Sequence, residues 1–128
     1  MSRMSLGRAG EARAARFLEA QGYVLLAHNW RVREGELDIV AQEGDTLAFV
    51  EVKTRRSNAY GLGEESIDAR KQQRLALLAE RFLAAHPDLA FQQCRFDVVV
   101  IDYTQRPAQI RLYRNAFDLN RLGDAGLI

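Results

Sequence analysis

The chain has 128 residues, of which 48% are hydrophobic and 27% charged. This composition suits a single domain with one apolar core. We expect the main part of the domain to span about residues 6–117, followed by a short C-terminal tail. A formal net charge of +1 excludes a protein that coats a polyanion through bulk basicity, and a single cysteine, Cys94, excludes an intrachain disulfide or a paired-cysteine zinc site. No signal peptide and no apolar run of the ~20 residues that span a bilayer are predicted. We therefore expect a cytoplasmic protein without a membrane partner.

Hydrophobic periodicity and turn residues divide the chain into seven elements. In chain order we predict a helix at 6–21, strands at 23–27, 36–41 and 46–54, a polar loop at 55–65, a helix at 66–85, and strands at 96–101 and 110–114. The run 96–101 is almost wholly apolar, as in a strand covered on both faces, and 110–114 alternates like an edge strand. The order α-β-β-β-α-β-β predicts an α/β fold in which helices flank a mixed sheet.

The residues with the clearest chemical potential lie on the predicted hairpin of the second and third strands. Residues two apart in a strand share a face, so Glu51 and Lys53 point the same way. With a two-residue turn at 43–44, Asp38 lies opposite Phe49 and joins that face. A slip of one residue would turn Asp38 to the other face.

Two carboxylates and an ammonium on a mostly apolar hairpin need partners, because unpaired buried charges are costly. Mg²⁺ would satisfy the acids, with Asp38, Glu51 and the backbone carbonyl of Val52 as ligands. Such an ion activates water and neutralises the leaving oxygen of a phosphodiester, while Lys53 orients the water or stabilises the transition state. The alternative is a salt-bridged strand in which Lys53 only neutralises Glu51.

Two further groups of residues extend the candidate site. Glu11 lies on the apolar face of the first helix, where its carboxylate needs either the metal site or an arginine as its partner. Polar and basic side chains after the hairpin and at the start of the second helix are candidate nucleic-acid ligands. They are Arg55, Arg56, Arg70, Lys71, Gln72 and Arg74. A solvated basic face is the alternative.

The basic residues are strongly biased towards arginine. Of the eighteen, only Lys53 and Lys71 are lysines. A chain with this bias would keep lysine where a compact ammonium is needed and a planar guanidinium would not fit. Chance is the alternative.

The remaining titratable residues are assigned structural roles. Asp97, which follows Arg95 on the apolar fourth strand, is expected to pair with an arginine. Cys94 is expected to be a packed thiol. His28 and His86 have no metal-ligand spacing, so surface or capping roles are expected for them.

Seven short motifs are spread along almost the whole chain, from about residue 7 to residue 117. They are Gly10-Glu11, Gly22-Tyr23, Asn29-Trp30-Arg31, Gly35-Glu36-Leu37-Asp38-Ile39-Val40, Phe49-Val50-Glu51-Val52-Lys53-Thr54-Arg55, Lys71-Gln72 and Arg95-Phe96-Asp97-Val98. As a set they resemble the YraN family of small bacterial proteins, which are regarded as predicted endonucleases. That family is similar to archaeal Holliday junction resolvases, within the PD-(D/E)-x-K nuclease superfamily.

The resemblance implies a restriction-endonuclease-like fold, Mg²⁺ or Mn²⁺ at the acids, and DNA as the substrate. Asp38, Glu51 and Lys53 match the superfamily's acid, acid and lysine, and Glu11 matches the first-helix acid of the resolvases. Leu37 stands where the superfamily's motif has proline. Branched or otherwise structured DNA is one implied substrate, and a homodimer is consistent with the resemblance because resolvases act as two-fold dimers.

We therefore expect a metal-dependent DNA endonuclease. One alternative is a non-catalytic nucleic-acid-binding protein that retains the nuclease fold. Another is an adaptor whose carboxylates bind no metal. Salt-dependent binding without metal-dependent cleavage would indicate the first alternative. Absence of both DNA binding and a metal-induced thermal shift would indicate the second.

Overall fold

The computed structural model describes residues 6–56 and 68–117. Its elements are α1 (Leu6–Ala20), β1 (Val24–Val32), β2 (Gly35–Glu43), β3 (Thr46–Arg55), α2 (Ala69–Ala85), β4 (Gln93–Asp102) and β5 (Gln109–Phe117). The strands form one sheet in the order β1-β2-β3-β4-β5, in which β3 and β4 are parallel and the other neighbours antiparallel. This confirms the predicted mixed α/β sheet and the order of its elements.

The two helices cover opposite faces of the sheet. On β3, Leu47 and Phe49 belong to the apolar cluster that contains α2, whereas Ala48 and Val50 belong to the cluster that contains α1. The residues of β4 divide between the same two clusters. Burial on both faces explains why these strands are almost continuously apolar. Neither of the two described helices is long and apolar enough to cross a membrane.

The start of α2 differs from the prediction. Asp68 has an extended backbone (φ −82°, ψ 179°) and its side chain accepts a hydrogen bond from Lys71 N at 2.9 Å. It is therefore the N-cap, and the helix begins at Ala69 and not near residue 66. Most of the predicted loop, from residue 57 onwards, lies outside the described residues. The helix ends at Ala85, as predicted from the proline beyond it, with His86 as the C-cap.

The turn of the β2–β3 hairpin also differs. Glu43 pairs with Thr46 and Val40 pairs with Phe49, so the turn residues are 44 and 45, and the predicted turn at 43–44 is wrong. The first position of such a two-residue turn requires a positive φ. Gly44 adopts φ 60° there, a conformation that would be costly for the glutamate that the predicted turn placed in it.

The paired part of the hairpin is short. β2 begins at Gly35, but its pairing with β3 runs only from Ile39 to Glu43, opposite Val50 to Thr46. Residues 35–37 of β2 remain paired with β1, and residues 51–55 of β3 remain paired with β4. The two strands therefore separate at this end of the sheet. We call this opening, between residues 35–38 of β2 and 51–55 of β3, the β2–β3 fork.

Candidate functional site

Asp38 lies at the point where the fork opens. Leu37 and Val40 both pack in the cluster of α2, although residues three apart in a regular strand face opposite ways. The alternation of β2 is therefore broken between them. The carboxylate of Asp38 spans the gap, and its Oδ2 accepts a hydrogen bond from Val52 N at 2.8 Å. A side-chain bond thus joins the two strands just beyond the last backbone pair.

The fork brings the three predicted core residues together. Continuing the observed register places Asp38 level with Glu51, two residues along β3 from the predicted partner Phe49. Glu51 is buried, with 8% of its surface exposed. Lys53, two residues further on, has its Nζ 3.6 Å from Glu51 Oε1.

Lys71 from α2 joins this group. Its Nζ lies 3.0 Å from Glu51 Oε1, closer than that of Lys53. The sequence predicted Lys71 to be a nucleic-acid ligand at the start of a helix. The structure instead places its ammonium against the carboxylate at the centre of the candidate site.

Glu11 approaches Asp38 from the α1 side. A Cβ on the preceding residue, Gly10, would lie only 3.0 Å from Thr54 Cγ2, so the glycine allows α1 to approach β3 closely. Carboxylate oxygens of Glu11, Glu36 and Asp38 lie within 4.8 Å of one another. Of the two partners considered for Glu11, the structure thus places the acidic cluster beside it, and the charge of an arginine, Arg8, also acts on its carboxylate.

Asn29 and Glu36 are members of this site that the sequence analysis did not assign. Asn29 Nδ2 donates to Glu11 Oε1 at 2.7 Å, and Glu36 Oε2 accepts from Arg31 Nη2 at 2.9 Å. Asn29 has φ 52°, a backbone conformation that asparagine adopts more readily than most residues. Both residues occur in the motifs behind the family resemblance, which was the available signal.

The carboxylates of the site are crowded. Burial raises the pKa of Asp38 to about 7, with further increases from the charges of Glu51 and Glu11 that exceed the opposing effect of the Val52 hydrogen bond. Burial and the charge of Glu36 raise the pKa of Glu11. Such crowding means that neutralising one acid favours ionisation of the others.

The pKa values of the two lysines shift in opposite directions at this site. Burial lowers the pKa of Lys53, and the nearby ammonium of Lys71 adds to this effect while Glu51 opposes it. For Lys71, burial also acts to lower the pKa, but the charge and hydrogen bond of Glu51 outweigh it and the net direction is upward. Lys53 is therefore the more readily deprotonated of the pair.

The donor set fits a hard divalent cation. Carboxylate and amide oxygens are the ligands that such ions prefer, and the site supplies three clustered carboxylates. Asn29 Oδ1 is buried next to them, and no hydrogen-bond donor among the described residues reaches it. The geometry offers two donor sets that share Asp38: the predicted set with Glu51 and the Val52 carbonyl, and the cluster with Glu11 and Glu36.

A cavity of about 300 Å³ lies beside Glu11 on the α1 side. Its lining includes Arg8, His28 and Asn29. His28 is exposed, in keeping with the surface role predicted for it.

The candidate nucleic-acid ligands fall into two groups. Arg56, Arg70 and Arg74 are exposed, so they are available to a large ligand. Arg55 points instead towards the end of β4, where its Nη1 lies 3.6 Å from Asp102 Oδ2 with only 18% of its side chain exposed. Gln72 is partly buried on the first turns of α2.

Asp97 belongs to a separate structural network. The residue is fully buried and accepts hydrogen bonds from Arg95 Nε at 2.8 Å, Tyr23 Oη at 2.8 Å and Asn115 N at 2.9 Å. The predicted pairing with an arginine is confirmed. Cys94 is half-buried against the α2 cluster, and burial raises its pKa, which confirms the packed thiol.

The comparison with known proteins places the chain in a family. Residues 10–101 match the Uncharacterised protein family UPF0102. The chain belongs to the UPF0102 family. A UPF0102 protein of Pseudomonas aeruginosa is 49% identical over 114 residues, which cover 88% of this chain and 91% of the relative. A UPF0102 protein of Stutzerimonas stutzeri is 47% identical over 114 residues, covering 89% and 95% of the two chains.

The likeness extends to a UPF0102 protein of Parafrankia sp., which is 50% identical over 107 residues, covering 84% of this chain and 89% of the relative. These matches confirm the resemblance to the YraN family. The residues of the candidate site, from Glu11 on α1 to Lys71 on α2, all lie inside the segment that matches UPF0102.

Proposed function

We propose that this protein is a Mg²⁺- or Mn²⁺-dependent endonuclease that hydrolyses phosphodiester bonds in DNA. The observation that best supports this function is the crowding of Asp38, Glu51 and Glu11 at the fork, where burial and mutual repulsion raise the pKa of Asp38 to about 7. A divalent cation would offset this repulsion while leaving the carboxylates ionised as ligands. The acid, acid and lysine also match the nuclease superfamily that the UPF0102 sequence resembles.

The chain's own residues would prepare and assist the reaction. A bound Mg²⁺ or Mn²⁺ would supply Lewis acidity to the phosphate and make water easier to deprotonate. Asp38 is held in place by the Val52 N–H before any substrate arrives, so little reorganisation is needed. Lys53, whose pKa burial lowers, is suited to accept a proton from the attacking water or to neutralise charge on the phosphate in the transition state.

DNA is the proposed substrate class because exposed arginines lie next to the fork. Arg56 follows β3 directly, and Arg70 and Arg74 are one turn apart on α2. Their guanidinium groups suit phosphate oxygens and would fix the register of a duplex on the site. Branched or structured DNA is included in the proposal through the family resemblance, and a homodimer would present two such sites to a junction.

The test is cleavage of a labelled panel of a four-way junction, a flap, a single strand and a plain duplex, with Mg²⁺ or Mn²⁺ and with EDTA. Asp38→Asn, Glu51→Gln and Lys53→Ala proteins, checked for folding by circular dichroism, accompany each reaction. We expect cutting that needs the cation and is lost in all three variants. Cutting that persists in the variants would exclude this site, and junction binding without cutting would favour the non-catalytic binding protein.

Metal-binding measurements on variants that each lack one carboxylate decide between the two donor sets. Mn²⁺ affinity measured by calorimetry without DNA is expected to fall in the Glu51→Gln protein if Asp38 and Glu51 hold the cation. The Glu36→Gln protein is the matched control, because it removes an equal charge from the acidic cluster. A loss confined to Glu36→Gln and Glu11→Gln would assign the cation to the cluster on the α1 side.

A further inference from the structure

Both lysines of the chain lie against one carboxylate. The sequence contains sixteen arginines and only two lysines. Lys53 comes from β3 and Lys71 from α2, and their Nζ atoms lie 3.6 Å and 3.0 Å from the same atom, Glu51 Oε1. A bias against lysine that is lifted only at these two positions fits a need for compact, detachable ammonium groups at the fork.

Lys71 occupies a helix position that disfavours a cation. It is the third residue of α2, and the N-cap Asp68 accepts a hydrogen bond from its backbone N–H. At this position the capping-box arrangement places glutamate or glutamine, and the helix dipole favours a negative charge. No acidic residue is present in the first turn of α2. Local helix stability therefore does not explain a lysine at this position, whereas the contact with Glu51 does.

Only one cation can take the shortest contact with Glu51 Oε1. The Glu51 side chain is 9% exposed, so its oxygens are accessible from few directions, and Lys71 holds the nearer position. The Lys71 side chain is 34% exposed, so its ammonium has a route into solvent. A divalent cation that binds Glu51 Oε1 must compete with this ammonium, and one that binds Oε2 still meets its positive charge at short range.

We propose that Lys71 is a positioning residue that holds the Glu51 carboxylate until a divalent cation replaces it, after which the released ammonium is available to a DNA phosphate. This inference rests on the proposed function, because it assumes that Glu51 is a metal ligand. Lys71 then weakens cation binding in the absence of DNA. By linkage, a phosphate that draws the ammonium away strengthens cation binding by the same factor by which the cation strengthens phosphate binding. Metal and DNA would therefore bind cooperatively.

The first test is Mn²⁺ affinity without DNA, measured by calorimetry on wild-type and Lys71→Met proteins. Methionine retains most of the apolar stem and removes the charge. We expect the variant to bind Mn²⁺ on the order of tenfold more tightly, because a unit charge in contact with a ligand is removed. Arg81→Gln is the matched control: it removes an equal charge from an exposed position of the same helix, and its affinity should stay within about twofold, as for an exposed charge.

The second test uses the wild-type protein, so it does not depend on a variant that folds. Selective ¹⁵N,¹³C-labelling of lysine gives two side-chain Nζ signals, one from Lys53 and one from Lys71. We expect titration with Mg²⁺ to move the Lys71 signal towards that of a solvated lysine. The Glu51→Gln substitution should produce the same displacement without Mg²⁺.

The outcomes separate this inference from the proposed function. The proposed exchange is the replacement of the Lys71 ammonium by the cation at Glu51. It would be overturned if Lys71→Met bound Mn²⁺ equally or less tightly and the Lys71 signal did not move. Metal-dependent cleavage by the wild type would still support the nuclease in that case. Tighter binding in Lys71→Met without any cleavage would support the exchange and reject the nuclease. If neither protein binds Mn²⁺, the exchange and the metal site are both rejected.

Discussion

Asp38 Oδ2 accepts a hydrogen bond from Val52 N at 2.8 Å, across the opening where β2 and β3 part. The bond takes the place of a backbone pair that the separated strands cannot make. It also fixes the carboxylate between Glu11 on α1 and the lysines of β3 and α2. The two strands of the fork are thus joined by the same residue that is proposed to act in it.

The ionisation of Asp38 should make stability depend on pH. Its pKa is about 7 in the folded protein and about 4 in an unfolded chain, so the folded protein binds the extra proton between these values. The free energy of unfolding should therefore fall as the pH rises from about 4 to about 7 and level off above. In metal-free buffer we expect Asp38→Asn to lose most of this dependence and to be more stable than the wild type at pH 8 by at most about 4 kcal/mol, the equivalent of three pKa units.

Urea denaturation at pH 5, 6, 7 and 8 measures this effect. Asp45→Asn is the control, because it removes one negative charge from the exposed β2–β3 turn. Parallel pH curves for the wild-type and Asp38→Asn proteins would contradict the prediction.

Gly35 should resist substitution more strongly than Gly44. Gly35 begins β2 with φ 151°, and a Cβ there would lie 3.4 Å from Leu78 Cδ1 on α2. We expect Gly35→Ala to lower the free energy of unfolding by about 1–2 kcal/mol, because it combines backbone strain with close packing. Gly44→Asn should cost less than about 0.5 kcal/mol, since asparagine tolerates φ 60° and the site is open. If urea denaturation gave equal losses of unfolding free energy for Gly35→Ala and Gly44→Asn, the prediction would be wrong.

The Asp97 network should contribute to stability without touching the fork. Asp97→Asn leaves the partly buried guanidinium of Arg95 without its full counter-charge beside a fully buried partner, and we expect a loss of about 3 kcal/mol in the free energy of unfolding. Glu43→Gln removes the more exposed partner of Arg95, so about 1 kcal/mol is expected. Thermal unfolding of the two variants and the wild type measures these two losses of stability. A smaller loss for Asp97→Asn than for Glu43→Gln would show that burial does not govern this network.

DNA binding should depend on salt through the exposed arginines. If Arg70 and Arg74 each contact one phosphate, replacing either by glutamine should reduce the slope of log affinity against log salt concentration by about 0.9. Arg81, further along α2, pairs with Glu34 at 3.3 Å, and Arg81→Gln is expected to leave the slope unchanged. Fluorescence anisotropy with EDTA between low and moderate salt measures the slopes. Equal slopes in all four proteins would exclude a DNA path along the start of α2.

Much of the fold could be predicted from the sequence because the apolar patterns of β3, β4 and α2 are strong. The hairpin turn lies one residue later than predicted, yet Asp38 still meets Glu51. Moving a two-residue turn by one position changes each pairing by two residues, and a strand repeats its facing every two residues. The facing of the paired residues 39–43 against β3 is therefore unaffected by the error in the turn, whereas Asp38 reaches the site by spanning the gap to Val52 N.

The parts of the site that sequence could not supply depend on tertiary structure. The break in alternation at Asp38 and the positive φ of Asn29 turn side chains in directions that a regular strand pattern does not predict. The direction of Lys71 depends on how α2 lies over the sheet, and helical periodicity gives only its face on the helix. Arg55 was predicted to meet nucleic acid, but the pairing of β3 with β4 brings it to Asp102.

The hydrogen bond from Val52 also limits how many contacts an ion can make with Asp38. With one lone pair of Oδ2 taken up by the backbone N–H, Oδ1 is the oxygen of Asp38 that is more available to a cation. A chelating, two-oxygen mode suits large ions with seven or eight ligands, whereas single-oxygen contacts suit small octahedral ions. One backbone amide would therefore favour Mg²⁺ or Mn²⁺ over Ca²⁺ by setting the denticity of a single carboxylate.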